Sequence, residues 1–420
     1  MEVIILDPMA FNLNVEQQNA INYLKSRNYP DLLLTGDAGT GKSTVIKTLI
    51  KEERMLGKNV VVTASTGFAA SLLGGMTYYK AFNIYPGVEY KSQSIVVPKN
   101  IIEADYIIID EVSMITAEMF DLIFQELEYV RMCKNSNIQL ILVGDFSQLP
   151  PITGKGYHNM HWLFESNAFK NVQSIRLRNK VRQEDDLEFS VNLDKIKMQD
   201  DSCLDYINKN CSKEAFVNAP YLCGIREKAE EICKNYLRKL NGEEYEIDCE
   251  ILGEGLTSIS RRYIECSRLE KVLLIKKEAM VRFTINDDHG RFVNGTEGVI
   301  SGIIPSEKDN QRVERIIVRR TDNNELIELE RVTLLLDGSK DTYISQFPIR
   351  LSYAMTIHKA QGMTFDKVNI IPAGWEPGQL YVALSRARHI GDIFLYEEIT
   401  PEMIKCDPRV IKFYNDTRFL

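Results

Sequence analysis

The sequence is short of positive charge. Its 420 residues carry 51 Lys and Arg against 59 Asp and Glu, for a formal net charge of −8. Indiscriminate coating of nucleic acid needs a large Lys/Arg excess to displace phosphate counterions, so that class is excluded, although a locally basic groove is not. Close cysteine pairs are also missing. Residues 133, 203, 211, 223, 233, 249, 266 and 406 are cysteines at wide spacings with no C-x-x-C. This predicts reduced thiols in a cytosolic-type compartment. A zinc or iron–sulfur site built from Cys203, Cys211, Cys223 and Cys233 is the sharper alternative, but it lacks the short pair that such frameworks usually contain. No apolar run reaches transmembrane length. The stretch Met1–Phe11 carries Glu2 and Asp7 where a signal peptide has a basic region and an unbroken apolar stretch. These absences predict a cytoplasmic protein, of a bacterial or phage-like cytosol, with no membrane partner. Repeats at a fixed period and low-complexity segments are lacking as well.

What is present is 44% hydrophobic and 26% charged residues, the composition of soluble globular chains, and a length suited to two to four domains. In the first third, short β-rich apolar runs alternate with helical patterns, which predicts a parallel sheet covered by helices. The four best strands are 31–35, 59–63, 106–109 and 138–143. Helical patterns cover 16–27 and 117–132, the latter with Met119, Leu122, Ile123, Leu127 and Val130 on one face. A second α/β pattern starts near 190, with a strand at 220–225 and a helix at 226–240. From 256 to 347 short strands and turns predict a small β-barrel, and the α/β pattern resumes at 350–396, so the barrel reads as an insertion.

Directly after the first strand, Gly36-Asp37-Ala38-Gly39-Thr40-Gly41-Lys42-Ser43 matches G-x-x-x-x-G-K-[ST] and leads into a helical segment beginning at Thr44. Glycines let backbone N–H groups wrap phosphates, Lys42 reaches the outer phosphates and Ser43 ligates Mg²⁺. The strand at 106–109 runs into Asp110-Glu111. Asp110 suits the metal, and Glu111 suits the attacking water. Two consecutive acids, with no N-K-x-D guanine-reading motif anywhere, favour ATP over GTP. A third strand ends in Gly144-Asp145-Phe146-Ser147-Gln148-Leu149-Pro150-Pro151. There Gln148 can sense the terminal phosphate and the paired prolines stiffen the exit.

The set resembles superfamily 1B 5′-to-3′ DNA helicases of the Pif type, which are related to the RecD type. Leu13-Asn14-Val15-Glu16-Gln17 looks like the adenine-recognising motif. Val62 to Ala70 (VTASTGFAA) and Gly74 to Phe82 (GGMTYYKAF) resemble two single-strand-binding motifs. Arg178 to Gln183 (RNKVRQ) is similar to a motif that supplies a phosphate-contacting arginine. Tyr353 to Thr364 (YAMTIHKAQGMT) and Leu380 to Arg388 (LYVALSRAR) look like the last two helicase motifs. Residues 138–151 and the helix end Tyr129-Val130-Arg131 lean toward the Pif type, and Phe292 to Val299 (FVNGTEGV) resembles the V-N-G-x-x-G-V turn of the family's inserted SH3-like barrel. The resemblance spans residues 12 to 396.

It implies two RecA-like P-loop domains: 1–190 with a small 1B insertion at about 74–100, and 191–255 with 348–420, into which an SH3-like barrel, 256–347, is inserted. It also implies a monomer using ATP and Mg²⁺ on single-stranded and tailed duplex DNA, with RNA–DNA hybrids and G-quadruplexes allowed. Lys42, Asp110, Glu111, Gln148, Arg182 and Arg386 are then catalytic, with Arg386 an arginine finger from the second domain. Gln17 faces the adenine, residues Gly36 to Thr44 and Gly362 face the nucleotide, and Ser43 and Asp110 hold the metal. Thr66, Phe68, Thr77, Phe82, Thr356 and His358 contact DNA, although Phe68 and Phe82 are open to a second reading as core aromatics. Tyr79 departs from the pattern by replacing the usual His. The alternative function is an ATP-gated single-strand-binding module without processive unwinding. Basic clusters at Arg176, Arg178, Lys180 and Arg182, at Arg261, Arg262 and Arg268, and at Arg312, Arg315, Arg319 and Arg320 supply local positive charge for a narrow channel.

Overall fold

The computed structural model describes residues 13–26, 28, 30–84, 97–134, 137–151, 160–253, 269–287, 289–306, 309–335, 342–374 and 376–420. The apolar runs of the first third form strands β1 (Asp31–Gly36), β2 (Val60–Ala64), β3 (Met76–Thr77), β4 (Tyr106–Asp110), β5 (Gln139–Gly144) and β6 (Gln173–Leu177). They lie in the order β3-β2-β4-β5-β1-β6, with every pairing parallel. A parallel sheet is buried on both faces, which is why these strands read as near-continuous apolar runs. Leu32, Leu34, Ile108, Ile141 and Val143 pack with the helices Val15–Lys25 and Lys42–Met55. Leu33, Ile107, Ile109, Leu140 and Leu142 pack with the helix Ala117–Lys134. Each such buried side chain is worth roughly 1.5–3 kcal/mol, enough to hold short strands in register. The last helix turns Phe120, Ile123, Leu127 and Val130 inward and leaves Met119 and Leu122 half-buried, a slightly rotated version of the expected face.

Because β4, β5 and β1 are adjacent and parallel, the loops leaving their C-terminal ends emerge side by side, where ligands bind in open α/β sheets. A second parallel sheet orders Ala354–Thr356, Tyr221–Cys223, Val368–Ile370 and Ile393–Leu395. It shares a core with the helices Leu187–Lys197 and Gln379–Leu384 through Phe189, Leu193, Leu222, Ile370 and Val382.

The third unit is antiparallel. Five strands run in the order Leu326–Leu329, Asp309–Arg320, Glu297–Ser306, Met280–Phe283, Ile349–Leu351, around a core that includes Phe283, Phe292, Ile300, Val318 and Phe347. One strand of this sheet, Ile349–Leu351, lies outside the expected 256–347 and pairs with Met280–Phe283, while Tyr245–Asp248 pairs with Val272–Ile275 in a separate two-stranded sheet. Residues 254–268, with Arg261, Arg262, Cys266 and Arg268, lie outside the described residues, as do 85–96 of the expected small insertion.

The C-terminal segment also departs from expectation. Residues 408–420 were grouped with the second α/β unit, yet the helix Pro408–Asp416 packs Val410, Phe413 and Tyr414 against the core of the first. Phe413 stacks on Phe164 at 4.6 Å, the Trp162 indole N–H donates to Asp407 at 3.0 Å, and Leu420 N–H donates to Ser174 O at 2.9 Å. The apolar side chains of this helix find their partners across the chain, which local periodicity does not reveal.

Candidate nucleotide site and nucleic-acid track

The P-loop turns between β1 and the helix Lys42–Met55. Gly39 and Gly41 have φ of 87° and 84°, in the left-handed region that glycine tolerates. A Cβ on Gly41 would stand 2.3 Å from Gln17 Nε2, and one on Gly39 would stand 2.7 Å from Arg182 Cβ. The loop is thus threaded between two candidate site residues. Val181 and Arg182 N–H groups donate to Gly39 O at 2.8 and 3.1 Å. Gln17 forms a capping box with Asn14 and also donates from Nε2 to Thr40 O at 3.1 Å, so it braces the loop. Thr40 Oγ1 donates to Asp37 O at 2.9 Å. Lys42 Nζ folds back onto Gly36 O (2.7 Å) and Asp37 O (3.0 Å), while Ser43 is exposed at the start of its helix, followed by half-buried Thr44. Burial pushes the Lys42 ammonium down, opposed by Asp145, Glu111, Asp37 and Asp110. Asp37 faces away from the loop's mouth onto Lys197 Nζ at 2.5 Å. Despite burial, that lysine holds the carboxyl below the usual range.

At the end of β4, burial and the neighbouring Glu111 push Asp110 up to about 7. Two adjacent carboxylates so placed repel each other, and a divalent metal bound there would relieve that repulsion. Glu111 sits at φ 55°, a strained conformation for a non-glycine residue; its carbonyl accepts from Ser65 Oγ at 2.7 Å, and Gln361 Nε2 donates to its carboxylate at 2.9 Å. A Cβ on Gly362 would lie 3.5 Å from Glu111 Oε1. After β5, Gln148 is buried and its Oε1 has no hydrogen-bond partner among the described residues. Asp145 is fully buried and accepts from Ser147 N–H at 2.9 Å.

The second sheet closes the site. Arg386 is 2% exposed and donates to Val382 O (2.8 Å), Met363 O (3.1 Å) and Ser385 Oγ (2.8 Å). Arg182 donates to Ser385 O at 2.9 Å. Burial, followed by the charge of Arg386, pushes Arg182 down to about 9. Two desolvated guanidiniums beside a phosphate-binding loop are relieved by a polyanion. Sequence reading missed three participants here: Gln361, Tyr381 and Asp145. All three lie inside the quoted motifs, and their contacts are with residues distant in the chain or with the turn's own backbone.

Of the residues expected on DNA, Thr66 caps the helix Gly67–Leu72 through Ala69 N–H (3.1 Å), and Thr356 caps Ile357–Ala360 through Lys359 N–H (3.4 Å). Thr77 is half-buried where β3 meets Tyr78–Phe82. His358 Nε2 lies 3.3 Å from Glu376 Oε2. Phe68 is half-buried, with its ring against Gly295 of the antiparallel unit, where an added Cβ would stand 2.7 Å away. Phe82 is 1% exposed in the first core beside Tyr78 and Ile101, so it is a core aromatic and not a base-stacking surface. Among the described residues of the basic clusters, several are paired with carboxylates. Lys180 meets Asp194 at 2.6 Å, Arg315 meets Glu328 at 2.5 Å, and Arg320 meets Asp322 at 2.5 Å and Glu325 at 3.3 Å.

Among the described residues no group of His, Cys, Asp and Glu forms a metal cluster, and the described cysteines are free thiols. Cys203 and Cys211 lie in one core, Cys223 and Cys233 in another. No described helix is long and apolar enough to cross a membrane.

A phosphate-binding loop, paired acids and arginines gathered between two parallel sheets define a P-loop nucleotide hydrolase built from two α/β units. The PIF1-like helicase family matches residues 12–214. Over 431 residues the chain is 30% identical to "ATP-dependent DNA helicase Pif1" of Bdellovibrio bacteriovorus, covering 96% of this chain and 91% of that protein. The human "ATP-dependent DNA helicase PIF1" is 31% identical over 405 residues, 92% of this chain and 61% of that longer protein. The crystal structure of Pif1 helicase from Candida albicans superposes with a TM-score of 0.84 at 26% identity, covering 97% of this chain and 99% of that one. Pif1 helicase from Bacteroides in complex with ADP-AlF3 and ssDNA gives 0.76 at 27% identity, covering 96% of each chain. The chain belongs to the PIF1-like helicase family.

Proposed function

We propose that the protein is an ATP-dependent 5′-to-3′ DNA helicase whose two parallel-sheet units, read as RecA-like domains with an inserted SH3-like barrel, close around one ATP. The observation that carries this reading is the shared site: Gln361 of the second unit reaches Glu111 of the first, and Arg182 of the first reaches Ser385 of the second, beside Arg386. Backbone N–H groups of Gly39 to Thr44 and Lys42 bind the phosphates, and Gln17 lies toward the base. Ser43 and Asp110 hold Mg²⁺, which when bound neutralises phosphate charge. Glu111, oriented by Gln361, accepts the proton of the attacking water. Gln148 meets the terminal phosphate with its unpartnered amide oxygen side free to reorient. Arg182 and Arg386 stabilise the charge that develops on the transferred phosphoryl group.

Opening and closing of the junction then alters the path across Thr66, Phe68, Thr77, Thr356 and His358, which we assign to the DNA track. The relatives' names and the Bacteroides complex with ADP-AlF3 and ssDNA support this reading. The test is unwinding of partial duplexes. A substrate with a 5′ tail should be opened in an ATP-dependent manner and one with only a 3′ tail should not. Unwinding of the 3′-tailed substrate alone would reverse the polarity.

A further inference from the structure

The residue that does most to tie the C-terminal segment to the nucleotide site is Tyr414, which lies outside every motif. Its hydroxyl is saturated: it lies 2.9 Å from Thr35 Oγ1, accepts from Phe146 N–H at 3.0 Å and donates to Asp145 Oδ1 at 3.1 Å. Thr35 immediately precedes the P-loop, and Phe146 and Asp145 open the turn that carries Gln148. The second oxygen of Asp145 faces the Tyr381 hydroxyl at 3.4 Å, which in turn accepts from Ala38 N–H of the P-loop at 2.9 Å. Asp145 is therefore clasped by two tyrosines. One comes from the helix Gln379–Leu384 that leads to Arg386, the other from the C-terminal helix.

The turn held by this clasp is short. Gln148 N–H donates to Asp145 O at 3.0 Å, so a shift of the Asp145 carboxylate moves the Gln148 backbone with it. Apolar anchors fix the turn's ends on different units, with Phe146 in the first core and Leu149 in the second. The polar clasp settles the orientation between those anchors. Burial, reinforced by Asp145, raises the Tyr414 phenol well above its ordinary value, so the proton it donates stays in place across working pH.

We propose that Tyr414 is a positioning residue for ATP hydrolysis: through Asp145, Phe146 and Thr35 it sets the Gln148 turn against the P-loop, making the C-terminal helix part of the ATPase apparatus. This rests on the ATPase reading above. Tyr414→Phe keeps the ring against Phe419 and Arg176 and removes only the hydroxyl. Transition-state alignment is lost while ground-state nucleotide contacts remain. DNA-stimulated kcat should fall about five- to tenfold, with KM for ATP within about twofold of wild type. Val410→Ala loosens the packing of the same helix while keeping the hydroxyl. It should lower the melting temperature and leave kcat at 25 °C within about twofold.

An unchanged kcat in Tyr414→Phe, or equal kcat losses in Tyr414→Phe and Val410→Ala, overturns the positioning role. Wild-type hydrolysis abolished by Lys42→Ala keeps the ATPase reading intact in either case. Absence of hydrolysis by the wild-type chain sinks that reading and the positioning role with it.

Discussion

Two arginines separated by about two hundred residues meet at Ser385: Arg182 on its carbonyl and Arg386 on its hydroxyl. Each is desolvated, and the carboxylate of Glu111 acts on both as an opposing charge. Bringing like charges together in a buried place is unfavourable unless an anion completes it. The fork geometry matters as much as the charge, because Arg386 spends three donors on three separate acceptors. Arg386→Lys keeps the charge and loses the fork. It should lower ATP turnover by about two orders of magnitude with little change in KM, measurable by steady-state phosphate release.

The helix Ala117–Lys134 shows what an element can hide. Its apolar face seats against β4 and β5, and the same geometry buries Glu126, whose Oε2 has no hydrogen-bond partner among the described residues. Burial raises this carboxyl from 4.5 to about 7. The folded state therefore binds a proton more tightly than the unfolded chain. The sign follows: the penalty is absent below about 4.5, grows as pH rises, and is complete above about 7. Glu126→Gln should stabilise the protein by on the order of 1 kcal/mol at pH 8 and by much less at pH 5, read by urea melts at the two pH values. A larger gain at pH 5 would contradict the assignment. Among the elements at the junction, the turn before Gln379–Leu384 is the tightest. Gly378 has φ 78°, and a Cβ there would stand 2.3 Å from Gln148 O. Gly378→Ala should push that helix off the Gln148 turn and cut ATP turnover at least about tenfold, equivalent to about 1.4 kcal/mol.

At the scale of the molecule, the net charge of −8 is joined by the pairing of Lys180, Arg315 and Arg320 with carboxylates, which lowers the positive charge these residues offer a phosphate backbone. A DNA track across two α/β units then depends on caps, hydroxyls and aromatic surface more than on counterion release. Log affinity for single-stranded DNA against log salt should have a slope shallower than about −4, the value for roughly six phosphate contacts at about 0.7 each. Filter binding or fluorescence anisotropy over a salt series gives that slope. The Phe68–Gly295 contact places the antiparallel unit directly over a candidate DNA residue. The path of the strand is therefore set by the arrangement of all three units.

The sequence by itself determined what is local. The glycines of the P-loop, the apolar runs that become β1, β4 and β5, the acids at the end of β4 and the order of the helicase motifs are written in neighbouring residues, because strand burial and phosphate-loop geometry need particular side chains at particular spacings. It also carries the residues that cap helices at Asn14, Thr66 and Thr356, polar side chains whose capping bonds lie within three residues in the chain. Only the tertiary structure decided what depends on residues far apart meeting. It put Phe82 in the core, paired Lys180, Arg315 and Arg320 with carboxylates, added Ile349–Leu351 to the five-stranded antiparallel sheet, carried the C-terminal helix back to the first sheet and joined Tyr381 and Tyr414 on Asp145. Those outcomes come from long-range packing and desolvation, whose energies depend on which distant surface covers a residue, and no local pattern specifies that surface.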